Sequence, residues 1–187
     1  MLRRVAVAIA ACAGLATGCG NSRTPVPALA RPAPVDGFRT LRFGAEGVSI
    51  SVPRSWPVIP QRAPQLAEVS SGSAVIALWR YPRVESPPVS APALATARAA
   101  LFDAIRSRQR SVRVVRSRLA RVDGAPAIEF DALERVGGQL REVLSTHLFE
   151  RGGELVLEEY APPPVFKAIR HPVLARVRGS LAITGPA

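Results

Sequence analysis

Four segments of alternating apolar and polar residues, joined by turns of two or three residues, constrain the fold of this chain most strongly. The segments cover 111–122, 127–136, 139–150 and 154–160, and glycine-containing turns separate them (Asp123-Gly124, Gly137-Gly138 and Gly152-Gly153). Period-two alternation is typical of strands with one buried face, and turns this short join neighbouring antiparallel strands. The sequence therefore predicts a four-stranded antiparallel meander.

Three further strands are predicted before the meander. Residues 38–43 and 48–52 both alternate with period two around a glycine-bounded turn, which indicates a hairpin. Residues 74–81 form a mostly apolar run rich in strand-forming side chains, which indicates a buried strand. Together with the meander, these segments make about seven strands.

Two helical segments are predicted, one before and one after the meander. Leu94, Leu101 and Ile105 recur at helical spacing between residues 91 and 109, and Ser90 is placed to cap that helix. The second stretch follows three prolines, and we expect Pro172 to divide it into two short helices. Runs of strands interrupted by single helices predict an α+β domain, an antiparallel sheet with helices packed against it.

The first nineteen residues have the parts of a secretory signal: two arginines, an apolar run and a small-residue stretch (Arg3-Arg4, Val5 to Leu15 and Ala16-Thr17-Gly18). The apolar run is too short to span a bilayer, which takes about 20 residues. The string Leu15 to Cys19 resembles the lipobox of bacterial lipoproteins, with its leucine displaced by one position. The resemblance implies that residues 1–18 are removed and that a lipid on Cys19 anchors the chain extracytoplasmically at the cell membrane. A lipid-free secreted protein is the alternative.

A proline-rich segment separates this leader from the folded domain. Residues 19–37 contain four prolines and few bulky side chains, a composition that favours extended polyproline II structure and lacks core-forming residues. We therefore predict a lipidated N-terminus with a spacer over 19–37 and one domain over 38–187.

The sequence offers little that points to catalysis. Both cysteines, Cys12 and Cys19, precede the predicted domain, so the domain has neither a disulfide nor a thiolate metal site. A serine nucleophile elbow and a phosphate-binding glycine loop are both missing. His147 and His171 lack metal-ligand spacing; we interpret the first as a surface residue and the second as a junction between helices. No cofactor or metal is predicted.

Carboxylates and arginines alternate along the predicted meander. Glu129 and Asp131 share one strand face, whereas the adjacent Glu158 and Glu159 point to opposite faces. Arginines on neighbouring strands can pair with the first two, which favours a solvated, salt-bridged face over a catalytic pair.

The chain is strongly basic, with 25 Lys and Arg against 14 Asp and Glu and a formal net charge of +11. Its densest basic stretch contains Arg106, Arg108, Arg110, Arg113, Arg116, Arg118 and Arg121. Such a stretch attracts anionic partners: anionic lipid, a cell-wall polymer or an acidic protein. Export argues against nucleic acid, and a plain solvated face is the alternative. By strand parity, Arg113 groups with Arg121 and Arg116 with Arg118, unless a bulge shifts the register.

Three strings and the central helix resemble the Mog1/PsbP-like superfamily, to which actinobacterial lipoproteins of the LpqN-like group belong. The strings are GVSISVPRSW (47–56), GAPAIEF (124–130) and FKAIRHPVLARVRGSLAI (166–183). The resemblance implies an α/β/α sandwich over essentially residues 38–184 and carries no catalytic residues. We therefore expect a non-enzymatic, membrane-anchored binding or accessory module of the cell envelope. An exported hydrolase or transferase with an unrecognised site is the alternative.

Overall fold

A computed structural model describes residues 31–150 and 152–183 of the chain. The leader, Cys19 and the first part of the proline-rich segment lie outside the described residues, so signal cleavage and lipidation stay predictions. Within the described ranges, no helix is both long and apolar enough to cross a membrane.

The described chain contains ten strands and a small number of helical segments. The order is β1 Phe38–Phe43, β2 Val48–Pro53, β3 Val58–Pro60, β4 Gln65–Ser71, β5 Ala74–Pro82, α1 Ala91–Arg108, β6 Val112–Val122, β7 Ala125–Val136, β8 Gln139–Glu150, β9 Gly153–Ala161, α2 Pro163–Ile169, a π-helical turn Arg170–Leu174, α3 Ala175–Gly179 and β10 Ala182–Ile183.

These strands form two antiparallel sheets. The main sheet has seven strands in the order β3-β4-β5-β9-β8-β7-β6, and a smaller sheet has the order β1-β2-β10. The predicted α+β class, first hairpin and β6–β9 meander are confirmed. The strands of the main sheet are not all those predicted. β1 and β2 belong to the smaller sheet, and two strands that were not predicted, β3 and β4, belong to the main sheet. With three and two residues, β3 and β10 are too short for any periodicity to reveal them.

The larger core lies on one side of the main sheet, which we call the C-terminal face because the chain's last helices cover it. Leucines of β8 and β9 pack there against the small sheet and the C-terminal helices, all of them almost fully buried (Leu148, Leu155 and Leu157 against Val48, Ile50, Val52, Phe166, Leu174 and Val177). Each such side chain contributes about 1.5–3 kcal/mol by leaving water. This core makes the C-terminal helices an integral layer of the domain.

The opposite side of the sheet, the α1 face, is covered by the predicted helix. Leu94 and Leu101 pack on Ile128, and the ring of Phe102 meets Phe130 edge-on at 5.4 Å between centroids. The hydroxyl of Ser90 accepts a hydrogen bond from the third residue of the helix at 3.2 Å. Both the helix and its cap are confirmed, and the three layers are helix, sheet, and helix with small sheet.

The two short helices predicted on either side of Pro172 are present as α2 and α3, but the junction between them is helical rather than a break. Residues 170–174 form a π-helical turn that joins α2 directly to α3, with the Ala175 amide donating to the Arg170 carbonyl. Proline has no amide to donate, and a π turn accommodates such an interruption by adding a residue to the helix.

Residues 33–35, assigned to the spacer from sequence, contact the domain. The indole of Trp56 donates to the Ala33 carbonyl at 3.1 Å, and the Ser71 hydroxyl accepts from the Ala33 amide at 2.8 Å. The Ser55 hydroxyl donates to the Pro34 carbonyl, and Val35 packs against the larger core. The end of the proline-rich segment is therefore part of the folded unit.

Candidate functional site

A β-bulge decides which arginines of β6 share a face. The pairing of β6 with β7 shifts at Val115, so Arg113, Arg116 and Arg118 lie opposite Leu133, Asp131 and Glu129 in turn. Those three β7 residues alternate with buried Phe130 and point to the C-terminal face. Arg121, opposite Pro126, lies on the α1 face. Because of the bulge, Arg113 shares a face with Arg116 and Arg118 rather than with Arg121, which is the effect expected of a register shift.

Arg116 and Arg118 line a cleft of about 300 Å³ between the β6–β7 edge and the C-terminal helices. We call it the arginine cleft. Its guanidinium groups come from both sides, Arg116 and Arg118 from β6, and Arg170 and Arg178 from the helical segment. Its other lining residues are Ser117, Glu129, Phe130, Asp131, Leu144 and His171.

Two carboxylates of β7 hold the four guanidinium groups in place. Asp131 pairs with Arg116 and, at 2.8 Å, with the Nη2 of Arg170. Glu129 pairs with Arg118 and lies 3.9 Å from the Nε of Arg178. The predicted pairing of carboxylates with arginines is therefore confirmed. The prediction that Glu129 and Asp131 lie on a solvent-exposed face is wrong. The C-terminal helices cover both carboxylates, and Glu129 is buried.

Glu159 is completely buried below this network. Its Oε2 lies 3.4 Å from the Nη1 of Arg178, while its Oε1 has no hydrogen-bond partner among the described residues. Burial raises the pKa of Glu159 to about 8, against the opposing effect of Arg178. The carboxyl group is therefore mostly protonated at neutral pH, and its contact with Arg178 is a hydrogen bond of a neutral acid.

The π-helical turn brings Arg170 and Arg178 to the same side. Two turns of regular α-helix cover about 7.2 residues, and the π turn adds about one, so residues eight apart align. The guanidinium of Arg170 also lies 5.5 Å from the Phe166 ring centre. Sequence analysis did not single out these two arginines, because in a regular helix they diverge by about 80°. The proline at 172 was the only local signal of the irregular turn.

The remaining predicted arginines do not line the cleft. Arg106 and Arg108 end α1, Arg110 lies in the turn before β6, and all seven predicted arginines are exposed. Arg106 pairs with Asp103 and Arg121 donates to the Gly124 carbonyl at 2.7 Å. Among the described residues, Arg108, Arg110 and Arg113 make no ion pair. We call these seven residues the basic edge. Since β6 is an edge strand, its arginines and bulge also oppose pairing with other sheets.

The α1 face contains a second polar group around His147, whose interpretation as a surface residue is wrong. His147 is buried, stacks on Phe130 at 5.7 Å between ring centres, and shares a 2.6 Å hydrogen bond through Nδ1 with Glu154. The period-two pattern correctly placed His147 on the strand face away from Leu144 and Leu148. It is buried because α1 covers that face. It borders a pocket of about 130 Å³ together with Glu158 and Arg141.

The pKa values of Glu154 and Glu158 shift in opposite directions. Burial by itself raises the pKa of Glu154, but contacts with His147 and Arg83 outweigh it and leave the pKa below its usual value. Burial raises the pKa of Glu158. No serine, threonine or cysteine is among the described residues lining this pocket. A histidine oriented by a carboxylate is a possible general base, but the neighbouring hydroxyl on the same strand face, that of Ser145, is completely buried and does not line the pocket.

No family model matches the sequence, and no curated protein matches it either. The architecture does have solved counterparts. Cyanobacterial PsbP (CyanoP) from Synechocystis sp. PCC 6803 aligns over 81% of this chain and 95% of its own, with a TM-score of 0.62 and 11% identity. The chain has the Mog1/PsbP-like fold.

A second counterpart of this Mog1/PsbP-like fold is LpqN of Mycobacterium tuberculosis, described as involved in cell envelope biogenesis. It aligns over 80% of this chain and 91% of its own, with a TM-score of 0.55 and 16% identity. At such identities the likeness extends to the fold alone. The α/β/α arrangement expected from the three sequence strings is thereby confirmed.

Proposed function

We propose that this protein is a lipid-anchored, non-catalytic accessory module of the cell envelope that binds an anionic partner through its basic edge. The observation that carries the proposal is the group of Arg108, Arg110 and Arg113, which are exposed and unpaired in the described chain. These unpaired arginines precede Arg116 and Arg118 along the chain and create a positive potential at the β6 edge of the sheet. Such a potential accelerates encounters with anionic surfaces.

Two further observations support this proposal. LpqN, which shares the fold, is described as involved in cell envelope biogenesis. The pocket beside His147 has no hydroxyl or thiol nucleophile among the described residues lining it, which favours binding over the alternative of a hydrolase or transferase.

Charge reversal tests the basic edge. In the Cys19→Ala protein, which lacks the proposed anchor, replacing Arg108, Arg110 and Arg113 each by Glu should abolish co-sedimentation with phosphatidylglycerol vesicles or isolated cell walls. The loss should be largest at low salt, because the Debye length is about 10 Å at 0.1 M ionic strength. A control variant reverses three exposed arginines elsewhere (Arg42, Arg54 and Arg62). Equal losses in both variants would reduce the effect to net charge and contradict the proposal.

Membrane fractionation tests the anchor. The lipobox resemblance places the lipid on Cys19, so Cys19→Ala should leave the membrane fraction or stay unprocessed, whereas Cys12→Ala should remain anchored. Lipid labelling that persists in the Cys19 variant would exclude this anchor.

A further inference from the structure

The arginine cleft is a more specific site than the exposed basic edge, because guanidinium groups converge on it from two layers of the fold. We infer that it binds a single phosphate group, with Arg116, Arg118, Arg170 and Arg178 as donors. This inference rests on the proposed function in that both require an anionic ligand, but it assigns the ligand's charged group to a defined cavity.

Donor capacity supports a ligand at this position. Each guanidinium has five N–H donors, and the ion pairs with Asp131, Glu129 and Glu159 occupy only some of them. The carboxylates therefore hold the arginines in position and leave donors free. Side chains that are already ordered lose less entropy when a ligand binds, so this arrangement favours a phosphate over bulk counterions.

The charge of the cleft also fits phosphate. Four guanidinium groups face the carboxylates of Glu129 and Asp131, while Glu159 beneath them is mostly protonated at neutral pH. The cleft therefore keeps an excess of about two positive charges. A phosphate monoester carries about −1.5 to −2 at pH 7, and its oxygens match the planar fork of arginine. A carboxylate would leave about one of these charges uncompensated.

The size of the cleft restricts what the phosphate is attached to. About 300 Å³ is at the lower limit of small-molecule sites, so the cleft accommodates a phosphate and a few neighbouring atoms. A soluble phosphate ester and the phosphate of a lipid headgroup present the same group to the arginines. The ligand class is thus a terminal phosphate monoester, and its source is decided by experiment.

Calorimetric titration of the full-length protein, purified in detergent, with inorganic phosphate tests the site. We expect saturable 1:1 binding that Arg116→Ala with Arg118→Ala weakens at least about tenfold, because the loss of even one charge-assisted hydrogen bond is worth about that factor. Both side chains are 68% exposed, so folding should persist, which circular dichroism checks. Replacing both by lysine keeps the charge but not the planar fork, and should lose most of the same affinity.

A matched control removes two exposed arginines that belong neither to the cleft nor to the basic edge, Arg42→Ala with Arg54→Ala. We expect this pair to change phosphate affinity by less than about twofold, because screened charges outside the cleft contribute little. Equal weakening by both pairs, or no saturable binding by the parent protein, would overturn the inference.

Two probes then distinguish the source of the phosphate. Glycerol 3-phosphate tests a soluble ester, and short-chain phosphatidic acid, titrated in the same detergent solution, tests a lipid headgroup. Binding of either probe that is lost in the Arg116/Arg118 pair supports the cleft, and binding of neither would overturn it. If reversal of Arg108, Arg110 and Arg113 leaves envelope binding intact while the cleft pair still weakens phosphate binding, the proposed function fails and the cleft stands.

Discussion

Glu159 is the residue whose environment departs most from what its type prefers. It is completely buried on β9, and the charged groups that face it are Arg178 on α3, Arg170 in the π-helical turn and Glu129 on β7. Burial of a carboxylate is costly unless it is paired and fully hydrogen-bonded. Here desolvation outweighs the nearby arginines, so the protonated form is favoured. Adjacent Glu158, only partly buried, points to the α1 face.

The stability of the protein should therefore fall as pH rises. The pKa of Glu159 is about 8 when folded against a usual value of 4.5, so the folded state keeps a proton that the unfolded chain releases between those values. Stability linked to this group is fully present below about pH 4.5 and is lost as pH rises through about 8. Urea unfolding at pH 6 and pH 9 should show this decrease in the parent protein and a much smaller one in Glu159→Gln.

The exposed Glu85 provides a control for this measurement. Glu85→Gln removes a carboxylate whose side chain is 67% exposed, so its unfolding should follow the parent at both pH values. A Glu159→Gln variant with the same pH dependence as the parent would show that other groups cause the decrease.

At the scale of elements, irregular segments set the geometry of the site. The bulge at Val115 moves Arg116 and Arg118 onto the face of Arg113, and the π-helical turn aligns Arg170 with Arg178. A regular strand and a regular helix with the same side chains would separate these groups. Bulges and π turns occur often at functional sites, and here one of each lies on either side of the same cleft.

The docked segment 33–35 is a further irregular element, and its removal should be measurable. A chain that begins at Asp36 should be less stable than one that begins at Arg31 by about 1–3 kcal/mol. It loses the hydrogen bonds of the Ala33 backbone to Trp56 and Ser71 and part of the apolar contact of Val35. Chemical unfolding of both chains measures the difference. Val35→Ala in the longer chain isolates the packing contribution, and equal midpoints for the two chains would show that the segment adds no stability.

At the scale of the whole molecule, the two outer layers differ in how firmly they are held. The C-terminal helices bury Phe166, Leu174 and Val177 in the larger core, whereas Leu94 is the only buried residue of α1. Segments with few buried apolar contacts open at a lower free energy than the core.

Hydrogen exchange should resolve this difference between layers. We expect the amides of α1 to exchange through local opening, at rates at least about tenfold above those of β8 and β9, since a difference of 1.4 kcal/mol in opening free energy gives this factor. Amides of α2 serve as the control for a helix in the larger core. Identical protection of α1 and β8 would mean that the sandwich opens only as a whole.

The sequence by itself determined the features that depend on local periodicity. Period two and glycine turns predicted the β6–β9 meander, and helical spacing with a serine cap predicted α1, because each pattern is complete within a few residues. Parity correctly placed Glu129 with Asp131 and separated Glu158 from Glu159. The seven arginines of the basic edge were likewise visible as one stretch.

Only the tertiary structure decided burial and convergence. His147 and Glu159 look like polar strand residues in sequence, and they are buried because helices cover both faces of the sheet. Arg170 and Arg178 follow Arg116 and Arg118 by more than fifty residues, and a β-bulge and a π-helical turn orient the four side chains toward the same cleft. The alternation of a strand indicates which side of the sheet a residue faces. Packing between segments that are distant in sequence determines whether that side is exposed to solvent, and such packing also forms the arginine cleft.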